Sequence, residues 1–217
     1  MSEGRIEING FVVTDLATTV DPLNDVVSLD GRTIRPATQH SYVLLYKPPG
    51  VVSTTDDPQG RPTVTEMVST SARLSPVGRL DLDSEGLILL TDDGEVAQRL
   101  THPSFEHVKR YRVWLDTSLA EEAIRTLREG VVIDDERTLP AEIDVLRRTD
   151  RSTVLLVGLR QGRKRQIRLM AEAVDARVQR LIRESIGPLT LKGLSSGESR
   201  TLEPSEVASL RSILGLD

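Results

Sequence analysis

Alternation of polar and apolar residues dominates the start of the chain. "RIEIN", residues 5–9, reads as a half-buried strand, and Asn9-Gly10 after it is a hairpin turn signal. "VVSLDGRTI" repeats the pattern around Asp30-Gly31. Residues 1–36 are therefore predicted to form a small β-rich unit, and "RPATQHS", residues 35–41, reads as a linker. A second unit, residues 42–217, opens with an apolar strand over residues 43–46. That strand runs into Pro48-Pro49-Gly50, where a regular ladder cannot continue, and Val51 and Val52 can resume pairing beyond it. Residues 87–90 fit a strand buried on both faces, although so short an apolar run does not by itself exclude a buried helical turn.

Helical signals come later. Asp93 can cap "GEVAQRL", which ends before Pro103. Ser118 and Glu121 make a capping box before Ala123, Ile124 and Leu127, with a stop at Gly130. Strands are predicted at "RYRVWLD", "GVVI", "AEIDVL" and "TVLLVGL". Near Gln166 the period changes, and Ile167, Met170 and Val174 predict a helix over about residues 165–174. Pro204 opens a last helix with Val207, Leu210 and either Ile213 or Leu214 inward. Strands outnumber helices and are not in βαβ order. The expected class is α+β, a mixed and mainly antiparallel sheet flanked by helices.

Composition narrows the chemistry. The 217 residues contain no cysteine, which excludes disulfides, thiolate metal sites and a thiol nucleophile, and fits a reducing cytosol. No apolar run approaches the length of a membrane span and the start has no signal segment, so a soluble cytoplasmic protein is expected, with no membrane partner. A net charge of −5 argues against a polyanionic partner, but the local field matters more than the sum, over roughly 10 Å. "RQGRKRQIR", residues 160–168, holds Arg160, Arg163, Lys164, Arg165 and Arg168 and no acid. "HVKRYR" adds Lys109, Arg110 and Arg112, and Arg177, Arg180 and Arg183 follow. This half of the chain is either a solvated basic face or a nucleic-acid footprint.

Acids cluster elsewhere. In "GRLDLDSEGLILLTDDG", residues 78–94, Asp81, Asp83 and Glu85 alternate and then meet an apolar run. Their spacing imitates a calcium loop. However, Asp92 stands where a bidentate Glu is expected, aliphatic residues fill the middle, and Pro and Gly precede the loop where a helix should enter. A solvated loop accounts easily for Asp83 and Glu85. Asp81 differs, because it lies between Arg79 and the lip of a core, the setting of a working carboxylate and also of many structural ion pairs. His102 and His107 read as a turn residue and a candidate phosphate contact. They are not a metal pair, since no third ligand is evident.

This acidic stretch resembles the signature of pseudouridine synthases of the RsuA/RluB branch, which modify ribosomal RNA in bacteria. "YKPPGVVSTTDDPQGRPTV" is similar to the family's first motif, "HPSFEHVKRYRV" to its Lys-x-Tyr segment, "GRKRQIRLM" to its Arg-containing motif, and "GPLTLKGLSSGESRTLEPSEV" to its closing segment. The resemblance implies the pseudouridine synthase fold and an RNA isomerase that needs no cofactor or metal. It places Asp81 at the catalytic aspartate and Tyr111 at the tyrosine that stacks on the target uracil, a candidate for proton abstraction. Arg168 falls at the basic residue expected to pair with Asp81. Arg79, Lys109, Arg110, Arg163, Lys164 and Arg165 are candidate RNA contacts. The implied partner is ribosomal RNA, with large-subunit RNA favoured over small-subunit, and a monomer is expected.

Two features depart from the family. Residues 1–36 match only the strand-rich half of its N-terminal RNA-binding module, so the module is expected to be truncated. Leu169 stands where relatives often carry a second basic residue. The resemblance leaves open a covalent adduct or a base-elimination route. A non-catalytic ribosomal RNA-binding or assembly factor would share the basic patch but have no use for a shielded Asp81.

Overall fold

Asn9-Gly10 and Asp30-Gly31 adopt positive φ at both positions, 53° and 83° in one pair and 50° and 73° in the other, as tight primed hairpin turns require. They close strands β1 (Ile6–Ile8), β2 (Phe11–Val13), β3 (Val27–Leu29) and β4 (Arg32–Ile34) into an antiparallel sheet of order β2-β1-β3-β4. The computed structural model describes residues 1–21, 24–34, 40–105 and 107–216. They divide into two units, Met1–His40 and Ser41–Asp217. Most of the stretch read as a linker, residues 35–39, lies outside the described residues.

The second unit contains β5 (Tyr42–Lys47), β6 (Ser75–Val77), β7 (Glu85–Thr91), α1 (Gly94–Thr101), β8 (Lys109–Leu115) and α2 (Glu121–Glu129). After these come β9 (Val132–Ile133), β10 (Glu136–Arg137), β11 (Glu142–Arg148), β12 (Thr153–Leu159) and α3 (Gln166–Glu172). The last elements are β13 (Val178–Ile186), β14 (Leu189–Thr190), β15 (Ser199–Thr201) and α4 (Pro204–Ile213). One sheet runs β11-β12-β8-β13-β7-β5-β15, with β14 on β13 and β6 on β7, while β9 and β10 form a separate hairpin. Two antiparallel halves meet where β13 and β7 pair in parallel, through Ile182 with Glu85 and Arg183 with Gly86.

Each half has its own core. Val113, Leu115, Leu155, Val157 and Leu159 pack with Ile124 and Leu127 of α2 and Ile167 and Met170 of α3. In the other half β7 is covered on both faces. Leu87 and Leu89 meet Val96, Leu100 and Leu210 from α1 and α4, while Ile88 and Leu90 meet Val51, Val64 and Leu74 from the loops beneath. This explains why residues 87–90 show no alternation.

Three local details differ from the sequence pattern. The box at Ser118 does not form. The amide of buried Leu119 donates instead to Thr153 Oγ1 at 2.9 Å, which delays the helix to Glu121 with Ala120 as its cap. A capping box appears at α4, between Glu203 and Glu206. Central strand β13 is absent from the predicted elements, because Arg180, Arg183 and Glu184 interrupt its apolar positions.

The seam explains Gly86. Its φ is +114°, and a Cβ there would lie 2.3 Å from the carbonyl oxygen of Arg183 and 2.5 Å from its amide nitrogen. G86A should therefore destabilise the protein by about 3 kcal/mol or more, combining backbone strain with a clash against a strand that cannot withdraw. Urea unfolding measures the effect, and a destabilisation below about 1 kcal/mol would show that the seam yields.

Candidate active site

Residues 78–84 cross the end of the seam without regular structure, and a core cannot close over such backbone unless its polar groups are bonded. Each carbonyl from 79 to 84 has a donor. Arg183 Nη1 donates to Arg79 at 3.3 Å, Ser53 Oγ to Leu80 at 2.9 Å, and the Gly50 amide to Leu82 at 2.8 Å. Arg168 Nη2 reaches Asp83 at 3.5 Å and Lys47 Nζ reaches Ser84 at 2.7 Å. The Asp81 carbonyl closes its own turn by accepting from the Ser84 amide at 3.1 Å.

Beside this loop is a cleft of about 260 Å³. Asp81, partly buried, lines it together with Tyr111, Arg79, Lys109, Arg163, Lys164 and Arg165. Tyr111 on β8 lies directly across from Arg183 on β13. Lys109 precedes it by two residues and so shares its face. Arg165 enters α3 in the left-handed region, φ +54°, so the backbone turns sharply where the basic loop meets the helix.

Two predicted residues are placed differently. Arg110 is on the other face of β8, ion-paired to Glu142 at 2.9 Å, and does not line the cleft. Arg168 is buried, but its Nη2 pairs with Asp83 at 3.0 Å instead of Asp81. The turn between Asp81 and Ser84 carries Asp83 towards α3, where Arg165 also approaches it at 3.6 Å. Among the described residues, no cationic nitrogen lies within 4.0 Å of the Asp81 carboxylate. Glu85 belongs to a third partner, Arg180, which binds both its oxygens at 2.8 Å and holds its pKa low. The alternating acids therefore do not converge, and no cluster of metal-ligating side chains exists among the described residues. Leu169, the departure from the family, lies within α3 and packs partly buried against the core.

Lys47 and Arg183 were not singled out as site residues from the sequence, yet they flank the loop. Lys47 is fully buried and bonds only carbonyl oxygens, those of Pro48 and Ser84. Burial lowers its pKa from 10.5 to about 8, against the attraction of Asp83, Asp81 and Glu85. Arg183, 3% exposed, donates Nε to Leu87 at 2.8 Å. A Lys before Pro-Pro-Gly carries no mark of burial in a single sequence.

Comparison with known proteins gives this geometry a context. Residues 41–173 match the family model described as RNA pseudouridylate synthase. The chain is 37% identical over 216 residues to the ribosomal large subunit pseudouridine synthase B of Bacillus subtilis, covering 98% of this chain and 88% of that protein. It is 38% identical to an uncharacterized RNA pseudouridine synthase of Mycobacterium bovis, covering 99% and 86%. A crystal structure of a pseudouridylate synthase superposes with a TM-score of 0.74 at 29% identity, over 96% of this chain and 90% of that one. The chain belongs to the RNA pseudouridylate synthase family, in its RsuA/RluB branch, and is an isomerase that acts on RNA.

Lys47 provides a test of how the loop is held. Between about pH 8 and 10.5 the unfolded chain binds more protons at Lys47 than the folded one, so stability rises with pH across that window. The stability of the wild type relative to K47M should climb from pH 8 to 10.5 and level off above it. Parallel urea titrations would detect this, and a pH-independent difference would show that burial does not lower the Lys47 pKa.

Proposed function

We propose that this isomerase converts a specific uridine of ribosomal RNA, in the large subunit, to pseudouridine. Asp81 is its catalytic group. The supporting observation is the joint placement of Asp81, on a loop bonded carbonyl by carbonyl, and Tyr111 in one cleft rimmed by Arg163, Lys164 and Arg165. The large-subunit assignment follows the name of the Bacillus subtilis relative.

The reaction breaks the bond between uracil and ribose, turns the base and rejoins it through carbon, so no atoms enter or leave. The base must first leave the RNA stack, at a cost of a few kcal/mol. Stacking on Tyr111 recovers about 1–3 kcal/mol of that. As a carboxylate, Asp81 attacks or stabilises the electron-poor centre that forms as the glycosidic bond breaks. Arg163, Lys164 and Arg165 bind backbone phosphates, which position the RNA without reading its sequence. Arg168 acts one step away: it anchors Asp83 and thereby the turn that carries Asp81. Among the described residues no helix is long and apolar enough to cross a membrane. We further propose a monomer working in the cytoplasm, in keeping with a chain free of cysteine.

D81N should abolish pseudouridine formation in transcribed ribosomal RNA while RNA affinity stays within about threefold, because an exposed phosphate track dominates affinity. Chemical detection of pseudouridine decides this, and an active D81N protein would remove the proposed role. Neutralising Arg163, Lys164 and Arg165 together should flatten the dependence of log affinity on log salt by about 0.7 for each phosphate that the protein ceases to neutralise. An unchanged slope would place the RNA track elsewhere.

A further inference from the structure

The outward arginines on the two central strands are matched with acids: Arg112 with Glu184 at 2.7 Å, Arg110 with Glu142 at 2.9 Å and Arg180 with Glu85 at 2.8 Å. The two cations that the same strands turn into the cleft are not. Arg183 and Lys109 both line the cleft, and among the described residues neither has a carboxylate within 4.0 Å. Arg183 is more than nine-tenths buried. Its Nε and Nη1 donate to the carbonyls of Leu87 and Arg79, but Nη2 has no acceptor. Lys109 makes one long hydrogen bond, 3.3 Å to the His107 carbonyl. Burial first, and then the charge of Arg183, depress the pKa of Lys109, so the two cations are close enough to repel.

An unmet N–H and a pair of facing like charges in a half-closed cleft both call for an acceptor that carries negative charge. A neutral uracil carbonyl could satisfy the N–H but would not relieve the repulsion. In an RNA substrate the group that does both is the phosphodiester, an acceptor-only monoanion suited to a guanidinium and an ammonium together. Arg183 is the cross-strand neighbour of Tyr111, so a phosphate bound there would sit within one nucleotide of a base stacked on that ring.

We propose that Arg183 and Lys109 form an internal anion subsite that takes an RNA phosphodiester next to the flipped base. The subsite is separate from the track at the cleft rim formed by Arg163, Lys164 and Arg165. The identity of its ligand rests on the function proposed above, whereas the existence of the anion site rests on the two cations alone.

Two measurements test it. In the first, inorganic phosphate is titrated into the free protein while 15N-labelled arginine side-chain signals are followed, with R183K assigning the Arg183 resonance. A saturable shift is expected, weakened about tenfold or more in K109M, which keeps both carbonyl bonds of Arg183. No saturable shift, or an equal affinity in K109M, overturns the subsite. In the second, RNA that the wild type isomerises carries single uncharged methylphosphonate linkages near the target. One linkage should lower wild-type kcat/KM about tenfold or more and K109M less than about threefold. Equal sensitivity of both proteins at every linkage overturns the phosphodiester assignment. If the wild type makes no pseudouridine in ribosomal RNA, the proposed function fails, and the phosphate titration still decides the subsite.

Discussion

Residues 79–84 form neither helix nor strand, so all their carbonyls except that of Asp81, which accepts from the Ser84 amide, are satisfied by donors from elsewhere, and the placement of Asp81 depends on that. The donors come from separate parts of the chain: Lys47 at the end of β5, Gly50 and Ser53 in the loop after it, Arg168 on α3 and Arg183 on β13. Three of them are buried cations. Hydrogen bonds from charged donors contribute roughly 1.5–3 kcal/mol each, and an orphaned buried carbonyl costs a comparable amount. The loop is thus rigid for a reason that concerns its backbone. The Asp81 side chain can remain free of ion pairs and open to the cleft while its backbone is fixed on both sides.

Fixing the loop in this way requires the two halves of the sheet to meet closely. The parallel seam brings Arg183 beside Gly86, and its backbone occupies the space that any side chain at position 86 would fill. The same approach puts Arg183 within reach of the Arg79 and Leu87 carbonyls and next to Tyr111. Sheet closure, loop position and the location of the aromatic ring are therefore coupled through one residue. A change that loosens the seam would be expected to reach the cleft even if it touches no residue lining it.

The charge distribution follows the same division. With a net charge of −5 the molecule as a whole repels polyanions, yet acids and bases are sorted by face. Outward arginines on β8 and β13 are matched with glutamates, Asp83 is held by Arg168 and approached by Arg165, and the two cations that β8 and β13 turn into the cleft, Lys109 and Arg183, have no carboxylate within 4.0 Å among the described residues. The sum over the sequence hides this because pairing is decided across strands, between residues such as Arg180 and Glu85 that lie far apart in the chain.

By itself the sequence determined the α+β class, the hairpins at Asn9-Gly10 and Asp30-Gly31, the cap at Asp93, the helix around Ile167 and Met170, and the motif that contains Asp81. These are local properties: turn conformation, capping and periodicity act within a few residues. Resemblance to a family supplied Tyr111 and the nature of the reaction, which no local pattern contains. Only the tertiary structure decided that Arg168 reaches Asp83 and not Asp81, that Arg110 faces away from the cleft, and that Lys47 and Arg183 hold the loop. The physical reason is the same in each case. The direction of a side chain and the partner of a charge depend on strand register and on which backbone lies opposite, and those are fixed by contacts between residues distant in the chain.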